Sequence, residues 1–281
     1  MRRAVASVLE GLELGADGIY SAAIPAASDQ TDELGFREAV ARREHADLLG
    51  LIGRHHSIPV MDRELRQFLR GVPPDGVVAD IGGGWGWHWR CLNAERPDVC
   101  VVIVDFVREN LRQAVRLLGP LCGDQVFLVH GDAGQLPFPS STFDAYWFVQ
   151  ALQHIPRFEE AVKEAHRILK PGGQFASYSL NHQKLLALVY RLVGRSYHVR
   201  GNRPGSFYLA RGAARDGRIV EQVFQTPVST RFTEVLFHPD LRIQTGGITS
   251  RVGAIDACLS TSVPWAAWFA RQRSFHARKS L

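Results

Sequence analysis

Cysteine is scarce in this sequence, with four among 281 residues. The four are Cys91, Cys100, Cys122 and Cys258, and no two of them form a C-x-x-C pair. No group of histidines and cysteines has the spacing of zinc ligands either, so no metal site is indicated. We expect reduced, buried thiols.

Long apolar runs are also lacking. No uncharged apolar run approaches the roughly 18 residues that a membrane-spanning helix needs. The first residues, "MRRAVASVLEGLELGADG", have no long apolar core and carry Glu10 and Glu13 early, which argues against a secretory signal. We therefore expect a cytoplasmic location.

Concentrated charge is lacking too, although the net charge is +5 and the pI about 9.2. The basic residues are spread along the chain, with only mild concentrations at 191–218 and 271–279. Nucleic-acid binding calls for a clustered basic patch, so we expect a solvated basic surface and no nucleic-acid partner.

Short apolar runs alternate with helical patterns in the middle of the chain. The predicted strands are 76–81, 99–106, 125–132, 143–152 and 173–180, and the predicted helices are 85–94, 108–118 and 158–169. Such alternation predicts a parallel sheet covered by helices on both faces.

The two ends of the chain are harder to interpret. Residues 1–30 suggest a loosely ordered arm with one short helix, and helical patterns follow over 33–54 and 60–69. After residue 181 the sequence predicts a helix at 182–194, a basic loop and a short helix near 229–239. A strand at 240–247 and a C-terminal amphipathic helix at 264–280 follow. An antiparallel pair of strands closing the sheet would fit this tail.

A glycine-rich stretch, "VVADIGGGWGWHW", lies where the first predicted strand ends and a helix should begin. Ligands bind at such carboxyl ends of strands, and glycines let a backbone turn tightly beside them. The G-x-G-x-x-G fingerprint fails, because tryptophan occupies its last position whether the count starts at Gly82 or Gly84. No Gly-Lys pair of a Walker A loop follows. The pattern present is Asp80-x-Gly82-x-Gly84-x-Gly86, and a generic glycine turn is the alternative.

Acidic residues end the next two predicted strands. Asp105 ends the second, 25 residues after Asp80, where a carboxylate can accept hydrogen bonds from both hydroxyls of a ribose. A helix N-cap is the other interpretation of Asp105. Asp132 ends the third strand, in "GDAGQLPFPSSTFD".

These segments, followed in order by "ALQHI" and "AHRILKPGGQF", resemble the class I S-adenosylmethionine-dependent methyltransferases over residues 76–180. The strongest likeness is to the ubiquinone/menaquinone-biosynthesis-like group, which methylates small molecules. The resemblance implies an α/β fold: a Rossmann-like, doubly wound sheet of about seven strands, mostly parallel with an antiparallel C-terminal strand. We expect an N-terminal helical arm or lid at 1–70, and a methyltransferase domain at 71–281 with a substrate-side insertion near 181–232.

The resemblance also implies S-adenosyl-L-methionine as cofactor and a set of residues that bind it. In this set Asp132 accepts from the adenine amino group, the Ala133 N–H contacts the ring, and Gln150 meets the methionyl part. The full set is Asp80, Gly82, Gly84, Gly86, Asp105, Phe106, Asp132, Ala133 and Gln150.

His154 in "LQHIP" is the first candidate for a general base, which a hydroxyl nucleophile would need. Its alternative role is to cap or pack the following helix. Tyr20, His55, His56 and Tyr178 are weaker candidates. No metal is required.

The predicted reaction is methyl transfer to a small-molecule acceptor at O, N or C, in secondary-metabolite or cofactor biosynthesis. The alternatives are a protein or RNA acceptor on the same fold, or a non-catalytic cofactor-binding protein. Arg195, Arg200 and Arg203 either recognise an acidic substrate or lie in a solvated loop. The C-terminal segment either docks on the sheet, which we favour, or touches a membrane surface without inserting stably. The oligomeric state is left open.

Three alternating tryptophans follow the glycines. Helical spacing places Trp85, Trp89 and Leu92 on one face, so we expect Trp89 to pack in the core. Trp85 falls within the glycine loop, where it either narrows the pocket or presents its ring to the sulfonium.

Overall fold

The computed structural model describes residues 3–22, 57–151, 157–181, 184–194, 213–236, 251–263 and 268–281, together with residues 35, 38, 155 and 265. Their strands form one sheet. The strands are β1 Glu13–Leu14, β2 Ile19–Ser21, β3 Val77–Ile81, β4 Cys100–Asp105, β5 Val126–His130, β6 Phe143–Val149, β7 Leu169–Leu180, β8 Ser229–Thr233 and β9 Gln272–Arg278.

The strand order is β1-β2-β5-β4-β3-β6-β7-β9-β8, which makes nine strands rather than the expected seven or so. The run from β2 through β7 is parallel, and antiparallel pairs close both ends. The predicted doubly wound α/β sheet is therefore confirmed, including all five predicted central strands.

Helices cover both faces of the sheet. They are α1 Arg3–Ala6, α2 Ser57–Leu69, α3 Leu92–Glu95, α4 Arg108–Leu118, α5 Phe158–Ile168, α6 Lys184–Leu192, α7 Ala213–Phe224 and α8 Val252–Ser262, with 3₁₀ helices at Trp87–Cys91 and Gly119–Leu121. One core packs α5 and α7 against Tyr146 and Phe175, and the other packs α2 and α4 against Trp147. Alternate residues of each strand supply the two cores.

The N-terminal segment differs from the loosely ordered arm that we expected. The short helix is present, but residues 13–21 form a hairpin whose second strand extends the sheet, with Ile19 opposite Leu128. Ile19 is fully buried, and Asp17 pairs with Arg108 at 2.9 Å, so apolar burial and an ion pair hold the hairpin. The Asp17–Gly18 dipeptide, with Gly18 at φ 75°, was the available signal for this turn.

The C-terminal segment is a strand, and the predicted amphipathic helix over 264–280 is wrong. In β9, Phe275 and Ala277 face the α7 side, while Ser274 and His276 face the other, which is the period of two of a strand. The predicted short helix near 229–239 is also wrong, because β8 occupies its first half and pairs with β9. The helix near 182–194 is confirmed by α6, and the strand at 240–247 lies outside the described residues.

A buried ion pair ties the segment after β8 to β9. The Arg271 guanidinium donates to Glu234 Oε2 at 2.6 Å, and the Glu234 side chain is fully buried. Glu234→Gln removes the acidic partner of the Arg271 guanidinium from a buried site, and we expect a loss of about 3–5 kcal/mol of unfolding free energy in urea titrations. Glu159→Gln, which breaks the exposed pair between Glu159 and Lys163, should cost no more than about 0.5 kcal/mol. Equal losses in the two variants would contradict this expectation.

Candidate cofactor site

The glycine loop follows β3 at the carboxyl edge of the sheet. Gly82 and Gly84 have φ values of 64° and 59°, which residues with a side chain rarely adopt. A Cβ on Gly82 would collide with Ala151, whereas a Cβ on Gly84 would enter open space. Within the described part of the chain, the loop is therefore packed against the end of β6 on one side and open at Gly84, where a ligand can approach the backbone.

Asp105 holds this loop from the neighbouring strand. Parallel pairing of β3 with β4 brings the ends of both strands to the same edge. One carboxylate oxygen of Asp105 accepts the Gly84 N–H at 2.8 Å, and the other accepts the Val107 N–H at 2.8 Å and the Asn110 amide at 3.2 Å. Asp105 therefore organises the loop and the start of α4, and it lies where the ribose-binding carboxylate was expected.

Asp80 lies beneath the loop and is completely buried. The Trp89 indole N–H donates to its Oδ2 at 2.6 Å. Burial raises the pKa of Asp80 to about 7; the Trp89 hydrogen bond opposes this shift, and the charge of Asp105 adds to it. Trp89 is itself fully buried, which confirms the expectation that it packs in the core. Asp80 thus supports the loop from inside.

Asp132 ends the next strand and is 4% exposed. Its Oδ1 accepts the Gly134 N–H at 2.8 Å. Its Oδ2 is buried and has no hydrogen-bond partner in the described part of the chain, although the Arg157 guanidinium lies 3.6 Å away. A buried acceptor without a donor is costly, so this oxygen suits the adenine amino group that the resemblance implies for it. Sequence reasoning missed Arg157.

Gln150 follows β6 at the same edge. It adopts a φ of 52°, and its N–H donates to the Tyr178 carbonyl at 2.7 Å. Phe106 and Ala133 are half-buried beside Asp105 and Asp132 respectively. The structure thus gathers the predicted cofactor residues at the ends of β3, β4, β5 and β6, and their binding roles stay predictions.

The candidate bases lie in different surroundings, and several lie outside the described residues. Tyr178 is buried inside the fold and donates to Glu64 Oε2 at 2.9 Å; burial raises its pKa well above its usual value, which does not suit a base. Tyr20 is half-buried in β2 against the core. The other candidates, His154, His55 and His56, lie outside the described residues, as do Arg195, Arg200 and Arg203.

The three tryptophans separate in the structure. Trp85 is half-buried within the loop, between Gly84 and Gly86. Trp87 begins the 3₁₀ helix, stacks on His88 at 3.7 Å between ring centroids, and has the Arg90 guanidinium 5.5 Å from its centroid. Trp87 and Trp89 belong to the 3₁₀ helix Trp87–Cys91, whereas Trp85 lies in the loop itself.

Within the described ranges, no group of three or more histidine, cysteine, aspartate or glutamate side chains is arranged to hold a metal ion. Within the same ranges, no helix has the length and apolarity to cross a membrane.

The raised pKa of Asp80 predicts how the stability of the protein varies with pH. In the unfolded chain this carboxyl ionises near pH 4, but in the folded protein only near pH 7. The folded state therefore holds the proton more tightly, and ionisation of Asp80 lowers stability as pH rises between these values, by about 1.4 kcal/mol per unit of pKa difference. Asp80→Asn cannot ionise, so its stability relative to wild type should increase from pH 4 to pH 7.

Urea unfolding of both proteins at several pH values measures this difference. Asp124→Asn, at an exposed carboxylate, is the control and should show no such trend. A stability difference between Asp80→Asn and wild type that does not vary with pH would refute the assignment.

Comparison with known proteins agrees with this geometry. A family model described as a methyltransferase domain matches residues 79–177. The ubiquinone/menaquinone biosynthesis C-methyltransferase UbiE of Methylobacterium nodulans is 34% identical over 106 residues, which are 37% of this chain and 42% of that protein. UbiE of Bartonella quintana is 30% identical over 187 residues, which are 63% of this chain and 69% of that protein.

A solved structure shows the same fold. Haemonchus contortus phosphoethanolamine N-methyltransferase 2, in complex with S-adenosyl-L-methionine, matches with a TM-score of 0.54 at 19% identity, over 88% of this chain and 60% of that one. The glycine loop and the acidic residues Asp80, Asp105 and Asp132 all lie within the residues 79–177 that the family model matches. The chain belongs to the class I S-adenosylmethionine-dependent methyltransferases of the ubiquinone/menaquinone-biosynthesis type.

Proposed function

We propose that this protein transfers the methyl group of S-adenosyl-L-methionine to a ring carbon of a small quinol-type acceptor. The observation that carries the proposal is the row of acidic and glycine residues along one edge of the sheet, in a chain related to UbiE C-methyltransferases. The chain spans 42% of the length of one such relative and 69% of another, so the acceptor is part of the proposal.

In this proposal the residues at the strand ends hold the cofactor. Asp105 accepts hydrogen bonds from the ribose hydroxyls, and the buried Oδ2 of Asp132 accepts one from the adenine amino group. The open side of Gly84 faces the cofactor. S-adenosyl-L-methionine supplies an electrophilic methyl group when it is bound. The protein contributes mainly binding, orientation and electrostatics, as is usual for cofactor enzymes.

His154 is proposed as the general base. A quinol ring carbon becomes a stronger nucleophile when a ring hydroxyl loses its proton, and a neutral imidazole accepts protons near neutral pH. The "ALQHI" segment directly follows Gln150, which is anchored at the edge where the cofactor residues gather.

The N-terminal segment is proposed as a lid over this edge, and residues 181–232 as the substrate-side insertion. Support for the lid comes from Ala22, whose N–H donates to the His130 carbonyl at 3.1 Å, next to Gly131 and Asp132. The chain thus leaves the hairpin beside the cofactor residues. Closing such a segment would exclude water from the reacting groups. We further propose that the protein works in the cytoplasm.

Cofactor binding is tested first. Titration with S-adenosyl-L-methionine should change the tryptophan fluorescence, and Asp105→Asn should weaken binding by at least about tenfold, because a charged acceptor for the ribose hydroxyls is lost. The control is Asp98→Asn, at a partly exposed carboxylate that pairs with Arg96 away from the loop. Circular dichroism establishes that both variants are folded. Wild-type affinity in a folded Asp105→Asn protein would refute this cofactor role.

The base is tested with a methyl-transfer assay on a soluble quinol, with amines and carboxylates as competing acceptors. His154→Gln should lower kcat by about 10²–10⁴-fold with little change in KM, and should remove the rise in rate with pH that deprotonation of the imidazole causes. His166→Gln, at a half-buried histidine of α5, is the control. An unchanged rate in His154→Gln would exclude the proposed base, and transfer to amines alone would exclude the quinol acceptor.

A further inference from the structure

A polar cleft of about 450 Å³ lies between α2 and the β7–β9–β8 end of the sheet. Its lining includes Glu64 and Phe68 from α2, and Tyr178, Arg231 and His276 from the three strands. None of the cofactor residues described above lines it. Its volume falls within the range of small-molecule sites, about 300–1,000 Å³.

Strand register explains why this face is polar. Tyr178 lies opposite Ser274, and Ser274 lies opposite Arg231, so the three side chains share one face of the sheet. The other face carries Phe175 and Phe275, and Phe175 packs on Phe224 of α7 with 4.9 Å between ring centroids. Tyr178 on the polar face also packs on Trp147, with 4.8 Å between ring centroids, so the cleft begins where this second core ends.

The helix side of the cleft holds a buried acid. Glu64 is 6% exposed, and its Oε2 accepts the Tyr178 hydroxyl at 2.9 Å. Its other oxygen has no hydrogen-bond partner in the described part of the chain. This oxygen belongs to a carboxylate that lines the cleft, where a cationic group would make a charge-assisted hydrogen bond with it.

The strand side holds a cation. Arg231 belongs to the edge strand β8 and acts electrostatically on both Tyr178 and His276. Within the described residues its guanidinium makes no hydrogen bond or ion pair. His276 is neutral at pH 7, because burial and the charge of Arg231 lower its pKa to about 4. An acid and a guanidinium thus face the same small cleft without pairing with each other.

We propose that this cleft binds a small zwitterion of the amino-acid type, with its ammonium group on Glu64 and its carboxylate on Arg231. Arginine presents paired donors that match a carboxylate, and Phe68 supplies an apolar wall for the side chain of the ligand. The site is separate from the cofactor edge and does not depend on the proposed methyl transfer.

Three matched probes test the charge requirement by ligand-observed NMR: L-leucine, which carries both charges, L-leucinamide, which lacks the carboxylate, and 4-methylpentanoate, which lacks the ammonium group. L-leucine should bind wild type, and each analogue should bind at least about tenfold more weakly. Absence of L-leucine binding at millimolar concentration, or equal binding of either analogue, would overturn the proposal.

Variants locate the binding. Glu64→Gln and Arg231→Gln should each weaken L-leucine binding by at least about tenfold. Arg218→Gln, at an exposed arginine of α7 on the opposite face, is the control. S-adenosyl-L-methionine titration of the same variants should match wild type, so failure of this site and failure of the cofactor site are distinguishable. Because Arg231 is exposed, Arg231→Gln should fold normally, and it tests the proposal even if Glu64→Gln does not fold. Unchanged L-leucine binding in a folded Arg231→Gln variant would overturn the proposal.

Discussion

The hydrogen bond from the Gly84 N–H to the Asp105 carboxylate is the interaction on which the cofactor edge depends. It joins the loop after β3 to the end of β4, and it can form only because parallel pairing places both ends at the same edge. The same carboxylate also accepts the Val107 N–H. A single buried charge thus sets the path of the glycine loop and the start of α4, before any ligand arrives.

Aromatic side chains support the inner side of the loop. The Trp89 indole N–H donates to Asp80, and the Trp89 ring packs edge-on against the ring of Trp147 on β6, with 6.4 Å between the two centroids. Asp80 is thus held by this hydrogen bond, and the loop rests against it. Among the described residues, nothing lies within 4 Å of a Cβ placed on Gly84, which leaves the backbone accessible to a ligand on that side.

The sequence predicted the centre of the molecule well and its ends poorly, for a physical reason. The strands between residues 76 and 180 are buried on both faces and give clear apolar runs. The hairpin at 13–21 has strands of two and three residues, too short for any periodicity. At the C-terminus, aromatic residues followed by basic ones looked like an amphipathic helix, but the strand β9 begins only at Gln272, after the aromatic residues; the residues of the pattern are Trp265, Trp268, Phe269, Arg271, Arg273, Arg278 and Lys279. The candidate site was predictable where it followed strand ends; Arg157, which no motif marks, was not.

Tyr178 contacts both the cofactor edge and the cleft, although its phenol does not act as a base at the cofactor edge. Its carbonyl accepts the Gln150 N–H at the cofactor edge, while its hydroxyl donates to Glu64 in the cleft. Burial raises the pKa of the hydroxyl, so the phenol stays protonated and acts only as a donor. Gln150 is held in a left-handed conformation that an isolated glutamine would rarely adopt, and this backbone bond contributes to holding it there. Tyr178 thus contributes its backbone carbonyl to the cofactor edge and its hydroxyl to the cleft, and the two roles use different atoms of one residue of β7.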